Sequence, residues 1–584
     1  MKSFISTLLL LLTVGFLYAQ PTKTITASAA GTGTVTWDKD TTYILDGFVF
    51  VNSGQTLTIE AGTVIKGKSG QGAAASALVV ARGGTIMAEG TPSEPIIFTA
   101  ESDDVSNPFD LAPNTVGLWG GVIILGNAST NTNPPEQAIE GIPTTELRGL
   151  FGAIDPNNDG DYSDATVNDA DNSGIFRYVS IRHGGTNIGA NNEINGLTMG
   201  GVGSATQIDH VEVIFNQDDG FEWFGGTVDC KYLVAAFCGD DAMDYDMGWR
   251  GNGQFWFVIQ SDDAGSDRGG EHDGGTSPET GTPLATPVIY NATYIGRGES
   301  AGKRALTFRD NAGGEYHNSI FYDFSRGIDV EILGNGSEHS YDRLQAGDLA
   351  LRNNIFWNVA GNDSAEVFKV TLGKYGTIDA NGNTVAQAVT DSLADLAAGT
   401  AFIQAYFDST NQTVVNPGFP SIDRTEFNNA LDPRPTSGFA LGTAPASDEP
   451  GDPFFADVNY KGAFSIDPAE FWADEWTYMD ELGYFPATFS ALTSIDDKKE
   501  FIRSLRLYPN PTRNAFTVAG SDMGTEAVEI MVYDMSGRLV LTADAMPVAG
   551  ELETRIDLGT APAGMYFLKV QQGNNIATAQ LVKQ

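Results

Sequence analysis

The sequence predicts an all-β protein, a right-handed parallel β-helix followed by a small C-terminal β-sandwich, and two observations predict the β-helix. The first is a succession of short β-rich runs with Gly, Asn and Asp turns between about residues 25 and 490, such as LTIEAGTVIKG (57–67) and GVIILGNA (121–128). Long amphipathic helical patterns are nearly absent there, the best candidate being residues 385–407. Short strands that each end in a turn are typical of stacked strand–turn coils.

The second observation is a repeat with a fixed period. Three segments align without gaps at an offset of 22 residues, namely VEVIFNQDDG (211–220), LVAAFCGDDA (233–242) and FWFVIQSDDA (255–264). That offset is the size of one β-helix coil, in which equivalent residues stack about 4.8 Å apart. Residues 20–490 are therefore predicted to form one domain, rather than the several globules that a chain of 584 residues suggests.

The N-terminus carries an export signal. Residues 1–19 read MKSFISTLLLLLTVGFLYA, with Lys2 ahead of an apolar stretch from Ile5 to Leu17. This stretch is too short to cross a bilayer and has the composition of a secretory signal peptide. No later segment offers about 18 apolar residues in a row, so we expect a mature chain without a transmembrane segment.

The C-terminal residues 504–584, which follow a linker at 491–503, form short alternating runs separated by turns, and this pattern predicts the small β-sandwich. They contain YPNP at 508–511, DMSGR at 534–538, GMY at 564–566 and a closing LVK at 581–583. In this order the motifs resemble the type A C-terminal sorting domain of type IX secretion substrates from Bacteroidetes-type bacteria. The resemblance implies that residues 504–584 engage the type IX machinery and that the chain crosses the outer membrane, to be released or attached at the cell surface.

The β-helix region itself carries phrases that resemble a family of secreted proteins from such bacteria. They are LTIEAGTVIKG (57–67), WGG (119–121), DDGFEWFGG (218–226), LDPRP (431–435) and YKGAF (460–464), followed by Trp472 and Trp476. The resemblance implies a pectin-lyase-like architecture without a settled activity. The region near 430–490 is rich in Pro and aromatic residues, and we expect it to cap the last coil, whose strand edges and core would otherwise be exposed.

Charge excludes two classes of partner. The 33 Lys and Arg residues against 75 Asp and Glu residues give a net charge of −42. Nucleic acid and anionic membrane surfaces both need a basic face, so neither is expected as a partner. With two cysteines, Cys230 and Cys238, a disulfide scaffold is excluded. If the run between them is one extended strand, the two residues lie too far apart to bridge.

The 22-residue offset stacks acidic side chains. Three pairs follow one another, Asp218-Asp219, Asp240-Asp241 and Asp262-Asp263, while Glu222 and Asp244 share another column that ends in Ser266. Carboxylates about 5 Å apart repel by roughly 1 kcal/mol in water and by several times that near a protein surface. Bound Ca²⁺ would relieve this repulsion, and oxygen-rich clusters suit that ion. The alternatives are an arginine-paired or solvated turn, with Arg250, Arg268 and Arg297 as candidates, or a catalytic role.

A second acidic segment lies in an insertion near 155–174. It reads DPNNDGDYSDAT at 155–166, where Asp155, Asn157, Asp159 and Asp161 occupy positions 1, 3, 5 and 7 of a calcium loop. Position 12 is Thr166 instead of the bidentate Glu of an EF-hand. The segment is therefore either a further Ca²⁺ site or a solvated turn.

An enzyme is the main alternative function, since paired carboxylates can act as general acid and base. The candidate catalytic residues are Asp218, Asp219, Asp241 and Arg250. The Gly-His-Gly and Arg-Ile-Lys elements expected downstream in pectin-cleaving hydrolases are missing, and a motif repeated in three coils favours an ion-binding ladder over a unique active site. No histidine pair has the spacing of a zinc site, and Glu271-His272-Asp273 is expected in a Gly-rich loop.

Aromatic residues add one further hypothesis. Trp223, Trp249 and Trp256 either line a glycan-stacking face or pack inside the coil. The sequence therefore predicts an exported, surface-displayed or released β-helix protein, stabilised by Ca²⁺, that acts in adhesion or in binding extracellular polysaccharide. The alternatives are a polysaccharide lyase or glycoside hydrolase that uses the Asp-Asp ladder, and a structural surface-layer protein.

Overall fold

The computed structural model describes residues 20–486 and 506–583, with gaps at 109, 190–191, 262–264, 276–277, 301–302, 334–337, 374–385, 442–451, 521–526, 535–537, 549–551 and 573–574. The predicted signal peptide (1–19) and linker (491–503) lie outside the described residues, as do Asp262 and Asp263 of the predicted ladder.

Short strands make up most of the chain, as the turn-punctuated sequence predicts. Up to residue 414 they are β1 (Thr22–Thr26), β2 (Val35–Trp37), β3 (Thr42–Asp46), β4 (Phe48–Val51), β5 (Thr56–Ile59), β6 (Val64–Gly67), β7 (Ala77–Val80), β8 (Thr85–Glu89), β9 (Ile96–Ala100), β10 (Val122–Leu125), β11 (Glu136–Ala138), β12 (Leu150–Gly152), β13 (Gly174–Arg182), β14 (Asn187–Gly189), β15 (Asn192–Glu193), β16 (Leu197–Gly200), β17 (Gln207–Ile214), β18 (Phe221–Phe224), β19 (Cys230–Ala236), β20 (Met243–Asp246), β21 (Asn252–Ile259), β22 (Gly270–Asp273), β23 (Val288–Tyr290), β24 (Thr293–Ile295), β25 (Arg304–Arg309), β26 (Gly314–His317), β27 (Ile320–Tyr322), β28 (Arg326–Ile332), β29 (Leu349–Arg352), β30 (Ile355–Trp357), β31 (Phe368–Leu372) and β32 (Thr413–Val414).

Two parallel sheets wind around one core, which confirms the predicted parallel β-helix. One sheet has ten strands in the order β4-β7-β10-β16-β18-β20-β22-β25-β28-β31, so each coil contributes one strand; we call it the front sheet. The other sheet has 18 strands in two columns, which merge where β13, β17, β19 and β21 run through both. Between the sheets lies a continuous core of inward-facing residues, from Trp37 and Leu45 at the N-terminal end to Phe356 and Phe407 at the other.

The coil length is 22 residues only in part of the chain. Phe221 pairs with Met243 at an offset of 22, whereas Leu233 pairs with Trp256 at 23 and Met243 with Gly270 at 27. The ungapped alignment of 255–264 with 233–242 is therefore wrong by one residue. The column of Glu222 and Asp244 continues into Glu271, not into Ser266, because the turn between β21 and β22 is longer than its predecessors.

A corner between the two columns of the large sheet is built from residues with positive φ. In four successive coils this residue is aromatic (Tyr178, His210, Tyr232 and Phe255), and in the next three it is Asn291, Asn318 and Asn353. Asn tolerates this left-handed conformation, whereas a bulky side chain pays a conformational cost. Ring stacking offsets it, since the centroids of Tyr178, His210 and Tyr232 are 4.3 Å apart at each step.

Helices are few in the described part of the chain. They are α1 (Ser340–Ala346), α2 (Ser364–Val367), α3 (Ala386–Ser409) and α4 (Tyr478–Glu481), with short 3₁₀ turns at 72–74, 147–149, 162–164, 360–362 and 468–470. The helix expected at 385–407 is thus present as α3, whose Ile403 and Phe407 join the core at the last coil. None of the helices described is long and apolar enough to span a membrane.

The region near 430–490, expected to cap the last coil, instead lies mainly along the side of the β-helix. Residues 415–441 and 452–485, which we call the lateral strap, pack on the outer face of the large sheet, where Phe464, Trp476 and Tyr484 contact the apolar face around Phe237 and Phe257. The reason is that the outward-facing residues of these middle strands are themselves apolar, and the lateral strap shields them from water. The end of the last coil is covered by α3.

The acidic insertion leaves the coil after β10. Its hairpin β11–β12 packs Ile139 and Phe151 against the outer face of the front sheet, and the Arg82–Glu136 ion pair (2.6 Å) ties it to the coil. Tyr162 also donates to Glu136 (3.2 Å). The insertion therefore forms a wall beside the front sheet.

The C-terminal residues form a small antiparallel domain with its own core, as predicted. Its strands are β33 (Arg506–Tyr508), β34 (Ala515–Gly520), β35 (Val528–Asp534), β36 (Leu539–Ala545), β37 (Leu552–Asp557), β38 (Gly564–Gln572) and β39 (Asn575–Lys583). They make a three-stranded sheet, β33-β34-β37, and a four-stranded sheet, β36-β35-β38-β39. Apolar residues such as Phe516, Val532 and Leu568 are buried between the sheets.

Candidate metal centre

The outer face of the front sheet gathers acidic side chains from three neighbouring strands. In β18, β20 and β22 the residues Glu222, Asp244 and Glu271 are register partners. Their neighbours in sequence, such as Trp223 and Tyr245, point into the core. Because side chains alternate along a strand, the three carboxylates share the outer face, about 4.8 Å apart from strand to strand.

The turns that precede these strands add a second acidic layer. The Asp241 amide donates to Asp219 Oδ1 (2.8 Å), and the Arg268 amide donates to Asp241 Oδ1 (2.6 Å). The Asp267 amide donates to the carbonyl of Asp240 (3.0 Å). Each turn is thus stacked on the last, and the column that began with Asp219 and Asp241 ends in an arginine.

Together these residues form one acidic array, defined as Asp218, Asp219, Glu222, Asp240, Asp241, Asp244, Asp267 and Glu271. Four groups of three have ligand atoms within 4.8 Å of one another; they are Asp218/Asp219/Asp240, Asp219/Glu222/Asp244, Asp240/Asp241/Asp267 and Asp241/Asp244/Glu271. The predicted metal residues Asp218, Asp219, Asp240, Asp241, Glu222 and Asp244 therefore do come together. Oxygen ligands at this density match the needs of Ca²⁺, which takes six to eight oxygens at about 2.3–2.6 Å.

Cations neutralise one end of the array. Arg268 Nη1 contacts Asp241 (3.0 Å) and Glu271 (2.8 Å), and Lys303 contacts Asp267 (2.9 Å). Arg309 Nη1 lies 3.0 Å from Glu271. The predicted arginine pairing is thus real for Arg268, while Arg297 donates to the carbonyl of Ser266 (3.0 Å).

The other end has no such partners. Asp218, Asp219, Glu222 and Asp244, which we call the open end, form no ion pair with Lys or Arg among the residues described. Asn195 donates to Glu222, and Asp244 Oδ1 is buried without a hydrogen-bond partner in the described structure. The open end is therefore the part of the array that could hold a metal ion.

Burial and mutual repulsion hold protons on these groups. Burial, together with the charge of Asp240, raises the pKa of Asp218 to about 7. Burial raises the pKa of Asp219, Glu222 and Asp244 well above the ordinary range, and neighbouring carboxylates add to each shift. At neutral pH the open end is consequently part-protonated, and a divalent cation binding there would displace protons.

Sequence reasoning missed several members of this surface. Asp267 and Glu271 join the acidic array only because the turn after β21 is longer than its predecessors. Glu271-His272-Asp273 belongs to a strand, β22, rather than to the expected loop. Two further acids lie at the same face, Glu140 of the insertion and Glu193 of the β14–β15 hairpin. Burial, with the charge of Glu193, raises the pKa of Glu140 to about 7. No local pattern in the sequence marks Glu140 or Glu193 as neighbours of Glu222.

The structure decides between the two alternatives for the tryptophans, in favour of packing inside the coil, and gives Arg250 a partner in the insertion. Trp223, Trp249 and Trp256 are completely buried and stack on one another inside the coil, with centroids 4.7 Å apart for Trp223 and Trp249. They offer no face to a glycan, because they occupy the inward positions of the strands or the turn. Arg250, the proposed catalytic cation, pairs instead with Asp169 of the insertion (3.1 Å).

The second calcium loop folds around one carboxylate. Asp155 accepts the backbone amides of residues 157, 158, 159 and 160 at 2.8–2.9 Å. Asp159 and Asp161 accept the amides two residues further on (both 3.0 Å). These carboxylates are occupied by the turn itself, and among the residues described the loop contains no group of three acids within 4.8 Å.

The two cysteines are free, buried thiols. Cys230 begins β19 and Cys238 follows its end, and the chain between them bends at Tyr232 and Phe237, both with positive φ, so it is not the single extended strand that the spacing argument assumes. Burial raises the pKa of both thiols, which keeps them protonated and unreactive.

A parallel coil with an acidic outer face, followed by a separate antiparallel C-terminal module, defines an exported β-helix protein. Residues 29–400 match the pectate-lyase-like β-helix domain, and residues 506–584 match the secretion system C-terminal sorting domain. The chain therefore belongs to the pectate-lyase-like β-helix family. Its sorting domain marks it for export across the outer membrane, by type IX secretion, to the cell surface or the extracellular space. None of the curated proteins compared with the chain matches it.

Proposed function

We propose that this protein is a Ca²⁺-stabilised module that binds extracellular polysaccharide, or mediates adhesion through it, at the outer face of the front sheet. The observation that carries the proposal is the open end, where four clustered carboxyl groups have no ion-pair partner among the residues described. Their oxygen atoms make this surface suited to hold Ca²⁺.

The shape of the face supports a polymeric ligand. The hairpin β11–β12 packs on the first strands of the front sheet. Beyond it, the six strands from β18 to β31 lie side by side at about 4.8 Å, so this part of the face presents a row of strands over roughly 24 Å. A repeating ligand can contact such a row at several points, and weak contacts then add up through multivalency. A bound Ca²⁺ keeps coordination sites for the hydroxyl or carboxylate oxygens of a sugar.

The test uses residues 20–498, the predicted chain without signal peptide and sorting domain, alongside the full chain. Glycan arrays with neutral and acidic polysaccharides are read with Ca²⁺ and with chelator. Saturable binding that needs Ca²⁺ and is lost in Asp219→Asn supports the proposal. New reducing ends or unsaturated uronate absorbance would replace it with an enzyme, and ordered self-association without glycan binding would replace it with a structural layer.

A further inference from the structure

A second feature of the front sheet lies beyond the acidic array, near the last coils. A cavity of about 460 Å³ opens on the same outer face, between β25, β28 and β31 and beneath α2. Its lining includes three cations, Arg304, Arg326 and Lys369, and two acids, Asp329 and Glu366. In a chain with a net charge of −42, three cations against two acids distinguish the cavity from the open end of the acidic array.

The cations are only partly neutralised. Arg304 and Arg326 are register partners on β25 and β28, so two like charges stand directly opposite each other, an unfavourable arrangement. Arg304 pairs with Asp329 (2.7 Å), and Lys369 pairs with Glu366. Arg326 is exposed and takes part in no ion pair among the residues described.

One wall of the cavity carries an unsatisfied polar atom. Asp329, which lines the cavity, is 6 % exposed. Its Oδ1 is buried without a hydrogen-bond partner in the described structure, while its Oδ2 accepts from Arg304 (2.7 Å). A buried acceptor without a partner is costly, and a ligand that donates a hydrogen bond would satisfy it.

We propose that this cavity binds one acidic sugar unit, with Arg326 and Lys369 contacting its carboxylate or sulfate group and Asp329 accepting from its hydroxyl groups. A simple anion satisfies the arginine but not Asp329, and a neutral sugar satisfies Asp329 but leaves Arg326 without a counter-charge. An acidic sugar carries both groups. The cavity volume is in the range of small-molecule sites.

The position of the cavity fits the same polymer that the proposed function assigns to the face, and the inference rests on that function. Glu271, Thr307, Asp329 and Lys369 are successive register partners in one outward column. Asp329 therefore lies two strands, about 10 Å, from the last acid of the array. One chain of acidic sugars would reach from the metal centre to the cavity.

The experiment titrates the full chain by calorimetry with a galacturonate trimer, its methyl ester and a carrageenan-derived sulfated tetrasaccharide. The wild-type chain should bind an acidic oligosaccharide at least about tenfold more tightly than the ester, since the ester removes the charge that Arg326 faces. Whether the trimer or the tetrasaccharide binds better identifies the carboxylate or the sulfate as the recognised group. Arg326→Gln should erase that preference, and the control Arg352→Gln, an exposed arginine on the other sheet, should keep it.

The outcomes separate this inference from the proposed function. Equal affinity for trimer, ester and tetrasaccharide, or an unchanged preference in Arg326→Gln, would overturn the cavity site and leave glycan binding standing. Trimer binding that persists in Asp219→Asn with chelator, and falls in Arg326→Gln, supports the cavity while overturning the metal centre as the glycan site. No binding of any of the three probes by the wild-type chain would overturn the cavity site, and the glycan arrays then decide the proposed function by themselves.

Discussion

Calcium binding at the open end should be coupled to proton release. The pKa of Asp218 lies at about 7, and the pKa values of Asp219, Glu222 and Asp244 lie well above the ordinary carboxyl range. At pH 7 Asp218 is therefore about half protonated, and the raised pKa values of the other three favour their protonated forms. Because Ca²⁺ binds carboxylates, its binding must release protons at that pH.

The affinity should follow the same linkage. Each proton that Ca²⁺ displaces costs about a factor of ten in affinity per pH unit below the pKa of its group. Between pH 7 and pH 6 the dissociation constant should consequently rise at least about fivefold from Asp218 alone, and further from the other three carboxyls. Calorimetry in two buffers of different ionisation enthalpy counts the protons released, and titrations from pH 5.5 to 8.5 give the slope.

A pair of variants locates the ion within the array. Asp219 belongs to two of the four carboxylate groups, and losing its charge should weaken Ca²⁺ binding by about 100-fold in Asp219→Asn, or about 2.7 kcal/mol. Asp267 lies at the neutralised end beside Lys303 and Arg268, so Asp267→Asn should change the constant by less than about threefold. Equal effects of the two variants, or binding without proton release, would refute the reasoning that only the open end lacks a cation.

Three further predictions concern stability. In chelator the free energy of unfolding should fall as pH rises from about 5 to 7. The reason is that carboxyls such as Asp218 and Glu271, whose pKa values are about 7 in the folded chain, bind more protons there than in the unfolded chain. Urea unfolding midpoints measured with added Ca²⁺ should lose most of this decline. Trp223→Ala should destabilise the coil by about 3–5 kcal/mol in urea unfolding, since the ring stacks on Trp249 and Trp256, and glycan binding by the folded fraction should stay unchanged. Glu212→Ala should lower the free energy that holds the lateral strap on the sheet by about 3 kcal/mol, because the fully buried Glu212 accepts hydrogen bonds from the amides of Tyr478 (2.7 Å) and Met479 (3.1 Å). Limited proteolysis should then cut within 415–485 faster than in wild type. Unchanged cleavage would contradict this anchoring role.

The sequence by itself was enough for the architecture and the destination. A β-helix repeats one local solution, a short strand and a turn, so Gly, Asn and Asp punctuation and a single 22-residue repeat reveal it without knowledge of long-range contacts. The sorting motifs are local as well, and the matching sorting-domain family at 506–584 agrees with them. The clustering of Asp219, Asp241, Glu222 and Asp244 also followed from the repeat, because these four residues lie in a pair of coils whose offset is 22.

Tertiary structure decided everything that depends on the length of individual turns. One extra residue before β21 and a longer turn after it put Arg268 and Glu271, rather than the predicted Asp263 and Ser266, beside Asp241 and Asp244. In a strand a shift of one residue moves a side chain to the opposite face, so charge pairing cannot be read from an alignment with unknown gaps. The same alternation decided that Trp223 and Trp256 face the core while Glu222 faces outward.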